Sequence, residues 1–321
     1  MTAEKKNRIR RRTALLCAAA ALLLVRWSGP AAAAAETGET AREEPAEQAP
    51  EKGLPLWLLE DTAEPGTMET LVYPSRAYGG GREGEAGVYL PFGYDPDGRY
   101  DVVFLWPGSC GDAEEAMEAE YQCYMEDRCQ CDLTLIHVLD RMIETGLTRP
   151  VLVVCLQDFG HVKLFSAQTD METIWSLVTE RYATWADGSV PPEEARRHFA
   201  FVGFSQGAIY TQTVAIARFF DRIANFGAVS YGSRSSTAAK EILESPYPLG
   251  MLYYMTGNKE DFGAAHARDA YRSILWRCPE KVKEGENAQF RRCWNLKHSY
   301  ALVHAEFVGL LPAVFPPEAD A

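Results

Sequence analysis

The chain has 321 residues, of which 47% are hydrophobic and 24% are charged, and this balance is typical of a globular protein with a large core. Its 45 Asp and Glu residues outnumber its 32 Lys and Arg residues, so the formal net charge is −13 at pH 7. Because nucleic acids and anionic membrane surfaces repel such a chain, neither is expected as a partner.

The first 35 residues have the pattern of an export signal. Basic residues crowd the first twelve positions, an apolar run spans 14–25, and alanines at 31–35 offer cleavage sites. The apolar run is short for a membrane span, so we predict a signal peptide over 1–35 and a secreted or extracytoplasmic protein, which stays at the cell surface if the segment is not cleaved. Residues 36–53 are rich in Ala, Glu and Pro and predict a flexible linker, followed by one domain over 54–321.

Apolar segments of strand length alternate with segments of helical period along this domain. The predicted strands are 88–91, 101–106, 151–156, 199–202, 226–229 and 251–256, and the predicted helices are 133–145, 172–183, 209–220, 264–276 and 301–315. Such alternation favours an α/β fold in which a mostly parallel sheet is covered by helices on both faces.

A Gly-x-Ser-x-Gly motif, Gly203-Phe204-Ser205-Gln206-Gly207, stands between a predicted strand and a predicted helix. In this context the motif is typical of the sharp turn that holds a nucleophilic serine at the carboxyl end of a sheet. The two glycines omit Cβ atoms where the strand and helix backbones approach each other. We therefore predict Ser205 as a nucleophile, with an ordinary Gly-Ser-Gly turn as the alternative.

A nucleophilic serine needs a base and a carboxylate that orients the base, and in α/β-hydrolases the acid and then the histidine follow the serine along the chain. The loop 257–263, after the strand 251–256, offers Asp261 as the acid and Glu260 as its close competitor. His298 is predicted as the base because it precedes the closing helix, whereas His304 lies inside that helix.

Backbone N–H donors are needed for the oxyanion that forms during acyl transfer. Gln206 is predicted to supply one, because it begins the helix after the nucleophile. The loop 107–111 is predicted to supply the second, from Ser109 or, next in order, from Gly108. Gly108, His161 in a strand-end loop and Tyr300 after the predicted base are the candidate contacts to substrate.

Seven cysteines follow Cys17, an odd number, so at least one is expected to stay free in an exported protein. Cys278 and Cys293 flank a polar segment and are predicted to form a disulfide. Cys155 is predicted to be a buried thiol. A zinc site is disfavoured, because the three cysteines that crowd one acidic segment have neither a histidine nor a C-x-x-C pattern among them. These three are Cys123, Cys129 and Cys131.

Several segments resemble the feruloyl esterase and acetylxylan esterase branch of the carbohydrate esterases, the esterase-D-like α/β-hydrolases. The segment 89–96 resembles the family's Y-L-P-x-G-Y-D-P, and 197–205 resembles its R-x-F-A-x-x-G-F-S. The loop 257–262 resembles its acid loop, and Leu311-Pro312 follow His298 at the family's characteristic distance. The likeness extends over residues 67–316 and implies an α/β-hydrolase fold. The family's oxyanion loop usually begins with His-Gly, where this chain has Pro107 before the glycine.

Together these patterns predict an exported serine carboxylesterase that hydrolyses acetyl or feruloyl esters on plant-type polysaccharides or oligosaccharides. Ser205, His298 and Asp261 would act through an acyl-enzyme, without a cofactor or a metal ion. An acyltransferase with the same three residues is one alternative, and a non-catalytic carbohydrate-binding domain on a hydrolase fold is the other.

Overall fold

The structure, a computed structural model, describes residues 53–77, 81–158 and 164–317. Nearly all of the predicted signal peptide and linker, together with Cys17 and His161, lies outside these residues. The described residues fall within one compact unit, Glu51–Ala321. None of their helices is both long and apolar enough to cross a membrane.

Ten strands and seven α-helices make up most of the residues that the structure describes in this unit. The strands are β1 (Thr67–Ser75), β2 (Arg82–Leu90), β3 (Asp101–Trp106), β4 (Tyr121–Tyr124), β5 (Gln130–Leu133), β6 (Val151–Cys155), β7 (Phe199–Phe204), β8 (Asn225–Val229), β9 (Met251–Thr256) and β10 (Ala288–Arg292). The helices are α1 (Leu135–Glu144), α2 (Leu164–Arg181), α3 (Pro192–Ala195), α4 (Gln206–Tyr210, continued by a π-helical segment Thr211–Ile216 and a last turn Ala217–Phe219), α5 (Ser236–Glu244), α6 (Ala264–Arg277) and α7 (Ala301–Val314).

Eight of the strands form one twisted sheet in the order β1-β2-β6-β3-β7-β8-β9-β10. The pairs β1–β2 and β2–β6 are antiparallel, and every later neighbour in this order is parallel. The register of the central strands is continuous, since Val229 of β8 lies opposite both Phe204 and Met255. The residues that follow β7, β8 and β9 therefore meet at one edge of the sheet.

The core consists of two apolar clusters, one on each face of the sheet. Alternate residues of β7 point to opposite faces, so Phe201 belongs to the first cluster and Val202 to the second. Helices α2, α4, α5 and α6 pack on the first face, and α1 and α7 pack on the second. Full burial of each large apolar side chain contributes roughly 1.5–3 kcal/mol, so these clusters hold the sheet edge in place.

The predicted α/β architecture with helices on both faces is confirmed. Each predicted strand and helix corresponds to an observed one, although α2 begins earlier than predicted, at Leu164. The sequence interpretation missed β1, the β4–β5 hairpin, the short helix α3, α5 and β10. Of these, β10 is a half-buried edge strand with two arginines, so it lacks the continuous apolar run that marked the central strands.

The predicted disulfide between Cys278 and Cys293 is wrong. Cys278 lies at the end of α6 in the first core cluster, and its thiol donates to the carbonyl oxygen of Ala239 at 3.5 Å. Cys293 lies in the second cluster, so the sheet separates the two residues. Cys155 is a fully buried thiol, as predicted, and burial raises its pKa well above the ordinary value.

Candidate active site

Ser205 stands at a sharp turn between β7 and α4. Its backbone has φ +53° and ψ −110°, a conformation that a residue with a side chain rarely adopts. The turn needs both glycines of the motif, since a Cβ on Gly203 would lie 2.1 Å from the carbonyl oxygen of Gly207, and one on Gly207 would lie 2.1 Å from that of Trp106. This packing turns the serine hydroxyl out at the carboxyl edge of the sheet.

The structure brings the three residues singled out by the sequence into contact. Nε2 of His298 lies 3.0 Å from Oγ of Ser205, and Nδ1 of His298 lies 3.1 Å from Oδ1 of Asp261. Both are hydrogen-bond distances for a base that stands between a hydroxyl and a carboxylate. Each residue follows an element that leads to the carboxyl edge: Ser205 follows β7, Asp261 lies in the loop after β9, and His298 precedes α7.

Asp261 is 4% exposed, and the backbone around it supplies two of its hydrogen bonds. The N–H of Gly257 donates to Oδ2 at 2.8 Å, and that of Gly263 donates to Oδ1 at 3.0 Å. Burial raises the pKa of Asp261, but the hydrogen bonds from His298, Ser230, Gly257 and Gly263 outweigh it, so the pKa lies below its ordinary value. The carboxylate is therefore held charged beside the imidazole. Glu260, the alternative acid, is exposed.

Ser230 is a fourth polar side chain at the site, and the sequence interpretation did not include it. Its hydroxyl donates to Oδ1 of Asp261 and lies 2.6 Å from Nδ1 of His298. The residue is fully buried and has φ +60°. A polar residue directly after the buried strand β8, which neighbours the nucleophile strand, is the sequence signal that could have revealed it.

The loop 107–111 lies against the nucleophile, since a Cβ on Gly108 would come within 3.6 Å of Cβ of Ser205. Its backbone is fixed at two points. The N–H of Gly108 donates to the hydroxyl of Tyr300 at 3.1 Å, and that of Cys110 donates to Oδ2 of Asp158 at 3.3 Å. Asp158 in turn donates its own N–H to the carbonyl oxygen of Gly111 at 2.9 Å.

Two backbone N–H groups, one in this loop and one directly after Ser205, have no acceptor in the part of the chain that the structure describes. They belong to Ser109, in the loop, and to Gln206, at the start of α4. These are the two residues predicted as oxyanion donors. The N–H of Gly108, the alternative donor, already donates to the hydroxyl of Tyr300.

Tyr300, predicted to contact substrate, is buried in the structure beside the loop 107–111. The residue is 5% exposed, and its ring packs against Phe204 and Tyr121 with centroids 4.7 Å and 5.2 Å away. Burial is the largest cause that raises the pKa of its hydroxyl well above the ordinary value, so the group stays protonated. Its position suits it to support the loop 107–111.

Two phenylalanine rings enclose His298. The ring of Phe204 lies 4.9 Å from the imidazole between centroids, and that of Phe262 lies 3.9 Å away. Phe204 is buried, whereas Phe262 is 67% exposed although it covers the imidazole. The site therefore presents an open aromatic surface beside the predicted base.

The remaining candidates lie apart from this group. His304 is fully buried in α7, where its Nδ1 lies 3.2 Å from the thiol of Cys123. Cys129 and Cys131, two of the cysteines considered for zinc, have sulfurs 3.8 Å apart. Within the described ranges, no group of three or more His, Cys, Asp or Glu residues is arranged to hold a metal ion.

The sheet order, the helices on both faces and the strand–Ser205–helix turn define an α/β-hydrolase fold. The feruloyl esterase module from Clostridium thermocellum, solved as a mutant complexed with sinapinate, has the same fold, with a TM-score of 0.67 and 20% identity over 88% of this chain and 99% of that one. A ferulic acid esterase from Anaeromyces mucronatus has a TM-score of 0.61 and 16% identity over 84% and 99% of the two chains. The resemblance to feruloyl esterases is thus confirmed in the fold.

Among curated proteins, Endo-1,4-beta-xylanase Y from Acetivibrio thermocellus is 29% identical over 166 residues, which is 49% of this chain. The chain spans only 14% of the length of that relative. No family model matches the sequence.

Proposed function

We propose that the chain is a serine carboxylesterase, with Ser205 as nucleophile, His298 as general base and Asp261 as the acid that orients the base. The observation that carries this proposal is the 3.0 Å contact between Nε2 of His298 and Oγ of Ser205, at a turn with φ +53°. The buried carboxylate on the far side of the imidazole completes the set.

In the proposed reaction, Oγ of Ser205 attacks the ester carbonyl carbon while Nε2 of His298 takes the hydroxyl proton. The tetrahedral intermediate collapses, the bond to the alcohol oxygen breaks, and His298 gives the proton to the leaving alkoxide. A water molecule then attacks the acyl-serine by the same route and releases the acid. Asp261 keeps the proton of the neutral imidazole on Nδ1 and stabilises the imidazolium that forms in each half.

The N–H groups of Ser109 and Gln206 are the proposed donors to the oxyanion. Ser109 follows Gly108, which packs on Ser205, and Gln206 follows Ser205 itself. Neither N–H has an acceptor among the described residues, so within that part of the chain no hydrogen bond has to break when the charge develops. The departure at Pro107 does not remove either donor, since it changes the side chain before Gly108 and leaves both N–H groups in place.

The proposed substrate is an acyl ester of a carbohydrate, and the site favours an aromatic acyl group. The similar solved structures are named for feruloyl and ferulic acid esterases, and one holds sinapinate. In this chain the exposed ring of Phe262, at 3.9 Å from His298, offers a flat surface on which an aromatic acyl group can stack. We also propose export through residues 1–35, which would bring the enzyme to polymeric substrates outside the cell.

The test uses the purified protein with p-nitrophenyl acetate, methyl ferulate, and acetylated and feruloylated xylo-oligosaccharides. Ser205→Ala should abolish hydrolysis of all of them, and labelling by a fluorophosphonate probe should be lost with it. Ser236→Ala, an exposed serine on α5, is the matched control and should leave both unchanged. Hydrolysis retained by Ser205→Ala, or no labelling of the unsubstituted protein, would overturn the proposal.

A further inference from the structure

We infer that Ser230 is a positioning residue that is interposed between His298 and Asp261 and relays the hydrogen bond from the imidazole to the carboxylate. This inference rests on the proposed function, because it assigns Ser230 to the same base and acid. It makes the catalytic set a chain of four side chains, in which Ser230 acts through His298 and does not touch the substrate.

The distances support a relay over a direct contact alone. Nδ1 of His298 lies 2.6 Å from Oγ of Ser230 but 3.1 Å from Oδ1 of Asp261. The serine hydroxyl also donates a hydrogen bond to that same carboxylate oxygen. A hydroxyl donates one hydrogen bond while it accepts another, so Ser230 can accept from the Nδ1–H and donate to Asp261 at the same time.

The backbone around Ser230 seats the hydroxyl in this position. The residue is fully buried with φ +60°, a left-handed conformation that is unfavourable for a residue with a side chain. Its N–H donates to the carbonyl oxygen of Met255 at 2.8 Å, which ties it to β9. The acid loop passes so close that a Cβ on Gly263 would lie 1.7 Å from the carbonyl oxygen of Ser230. The same residue therefore contacts the loop that carries Asp261.

The other groups around His298 are consistent with polar support of its Nδ1 by Ser230 and Asp261. Phe204 and Phe262 pack on the imidazole and carry no charge, and Ser205 occupies Nε2. Asp261 is the charged group that faces Nδ1. A hydroxyl that accepts from Nδ1–H fixes the proton on that nitrogen, and this tautomer leaves the lone pair of Nε2 free to take the proton of Ser205.

The first experiment measures kcat and KM of Ser230→Ala and Ser230→Gly with p-nitrophenyl acetate. Loss of one neutral hydrogen bond to the base should lower kcat about tenfold and change KM by less than about twofold. Glycine suits φ +60°, so Ser230→Gly removes the hydroxyl without backbone strain and remains informative if the alanine variant folds poorly. Ser236→Ala should keep the kcat of the unsubstituted protein.

A double-mutant cycle separates a relay from a merely structural role. If Ser230 acts through the carboxylate, Ser230→Ala should cost less than about twofold in kcat once Asp261→Ala is already present. The full tenfold loss in both backgrounds would overturn the inference, as would wild-type kcat in both Ser230 variants. These outcomes differ from a failure of the proposed function, which would appear as hydrolysis retained by Ser205→Ala.

Discussion

The hydroxyl of Tyr300 accepts a hydrogen bond from the backbone N–H of Gly108 at 3.1 Å. This contact joins the loop 107–111 to the segment that carries His298, two residues before Tyr300 in the chain. Packing is equally close, since a Cβ on Gly111 would lie 2.4 Å from the same hydroxyl. The loop proposed to stabilise the oxyanion is thus positioned by a residue adjacent to the proposed base.

Tyr300→Phe is predicted to reduce activity although it keeps the ring. The substitution leaves the buried N–H of Gly108 without its acceptor, which costs about 1–3 kcal/mol of folding free energy and loosens the loop that presents Ser109. We expect kcat to fall about tenfold or more, measured with p-nitrophenyl acetate, and the melting temperature to fall with it. Tyr121→Phe removes a hydroxyl from the ring packed on Tyr300 and should preserve kcat. Equal kcat values for the two variants would contradict the assignment.

Asp261→Asn and Glu260→Gln distinguish the two candidate acids. The amide loses the charge that stabilises the imidazolium and favours the wrong tautomer of His298, so kcat should fall by roughly three to four orders of magnitude. Glu260 is exposed, and its backbone N–H donates to Oδ1 of Asn258 at 2.8 Å, a contact that does not involve the carboxylate. Glu260→Gln should therefore stay within about twofold of the unsubstituted kcat. A larger loss for Glu260→Gln than for Asp261→Asn would reverse the assignment.

Gly207→Ala is predicted to prevent the turn at Ser205 from forming. The added Cβ would stand 2.1 Å from the carbonyl oxygen of Trp106, so strand and helix would have to separate. We expect little soluble folded protein, measured by yield and by circular dichroism. Gly188→Ala is the matched control, because Gly188 has φ +81° but open space around it and should cost only about 1 kcal/mol. A Gly207→Ala protein as stable as Gly188→Ala would show that the turn has another geometry.

The sequence predicted the parts of the fold that have local signals. The strands 101–106 and 251–256 are continuous apolar runs, and both were placed with the observed bounds. The strand β10 carries no such run, because it lies at the sheet edge where water replaces one neighbour. The predicted disulfide between Cys278 and Cys293 was wrong for a related reason. Proximity along the chain does not reveal that a sheet lies between the two residues.

In the candidate site, too, the sequence predicted the residues that have local signals and missed those that depend on tertiary packing. Ser205, Asp261 and His298 were chosen from a motif and from chain order, and they lie in contact, while their catalytic roles remain predictions. Ser230 was missed because its place beside Asp261 depends on how β8 pairs with β9, which no short motif encodes. The support that Tyr300 gives to the loop 107–111 likewise depends on tertiary packing, so the sequence indicated the residue but not what it contacts.

His304 should make the stability of the protein depend on pH. Burial lowers its pKa from 6.5 to about 3, and its Nε2 has no hydrogen-bond partner in the part of the chain that the structure describes. Between these pH values the unfolded chain binds a proton that the folded protein does not. The free energy of unfolding should therefore fall as the pH falls below 6.5, by about 1.4 kcal/mol per pH unit, or roughly 2 kcal/mol by pH 5.

The measurement is denaturant unfolding, followed by circular dichroism, at several pH values from 7.5 to 5. His304→Leu keeps an apolar group of similar volume in the core and removes the titrating imidazole, so its free energy of unfolding should vary less with pH by that same amount. His266→Gln, at an exposed histidine on α6, is the matched control and should retain the full pH dependence. If His304→Leu and the unsubstituted protein lose stability in parallel between pH 6.5 and 5, the proton uptake belongs to other groups and the imidazole is hydrated or paired in solution.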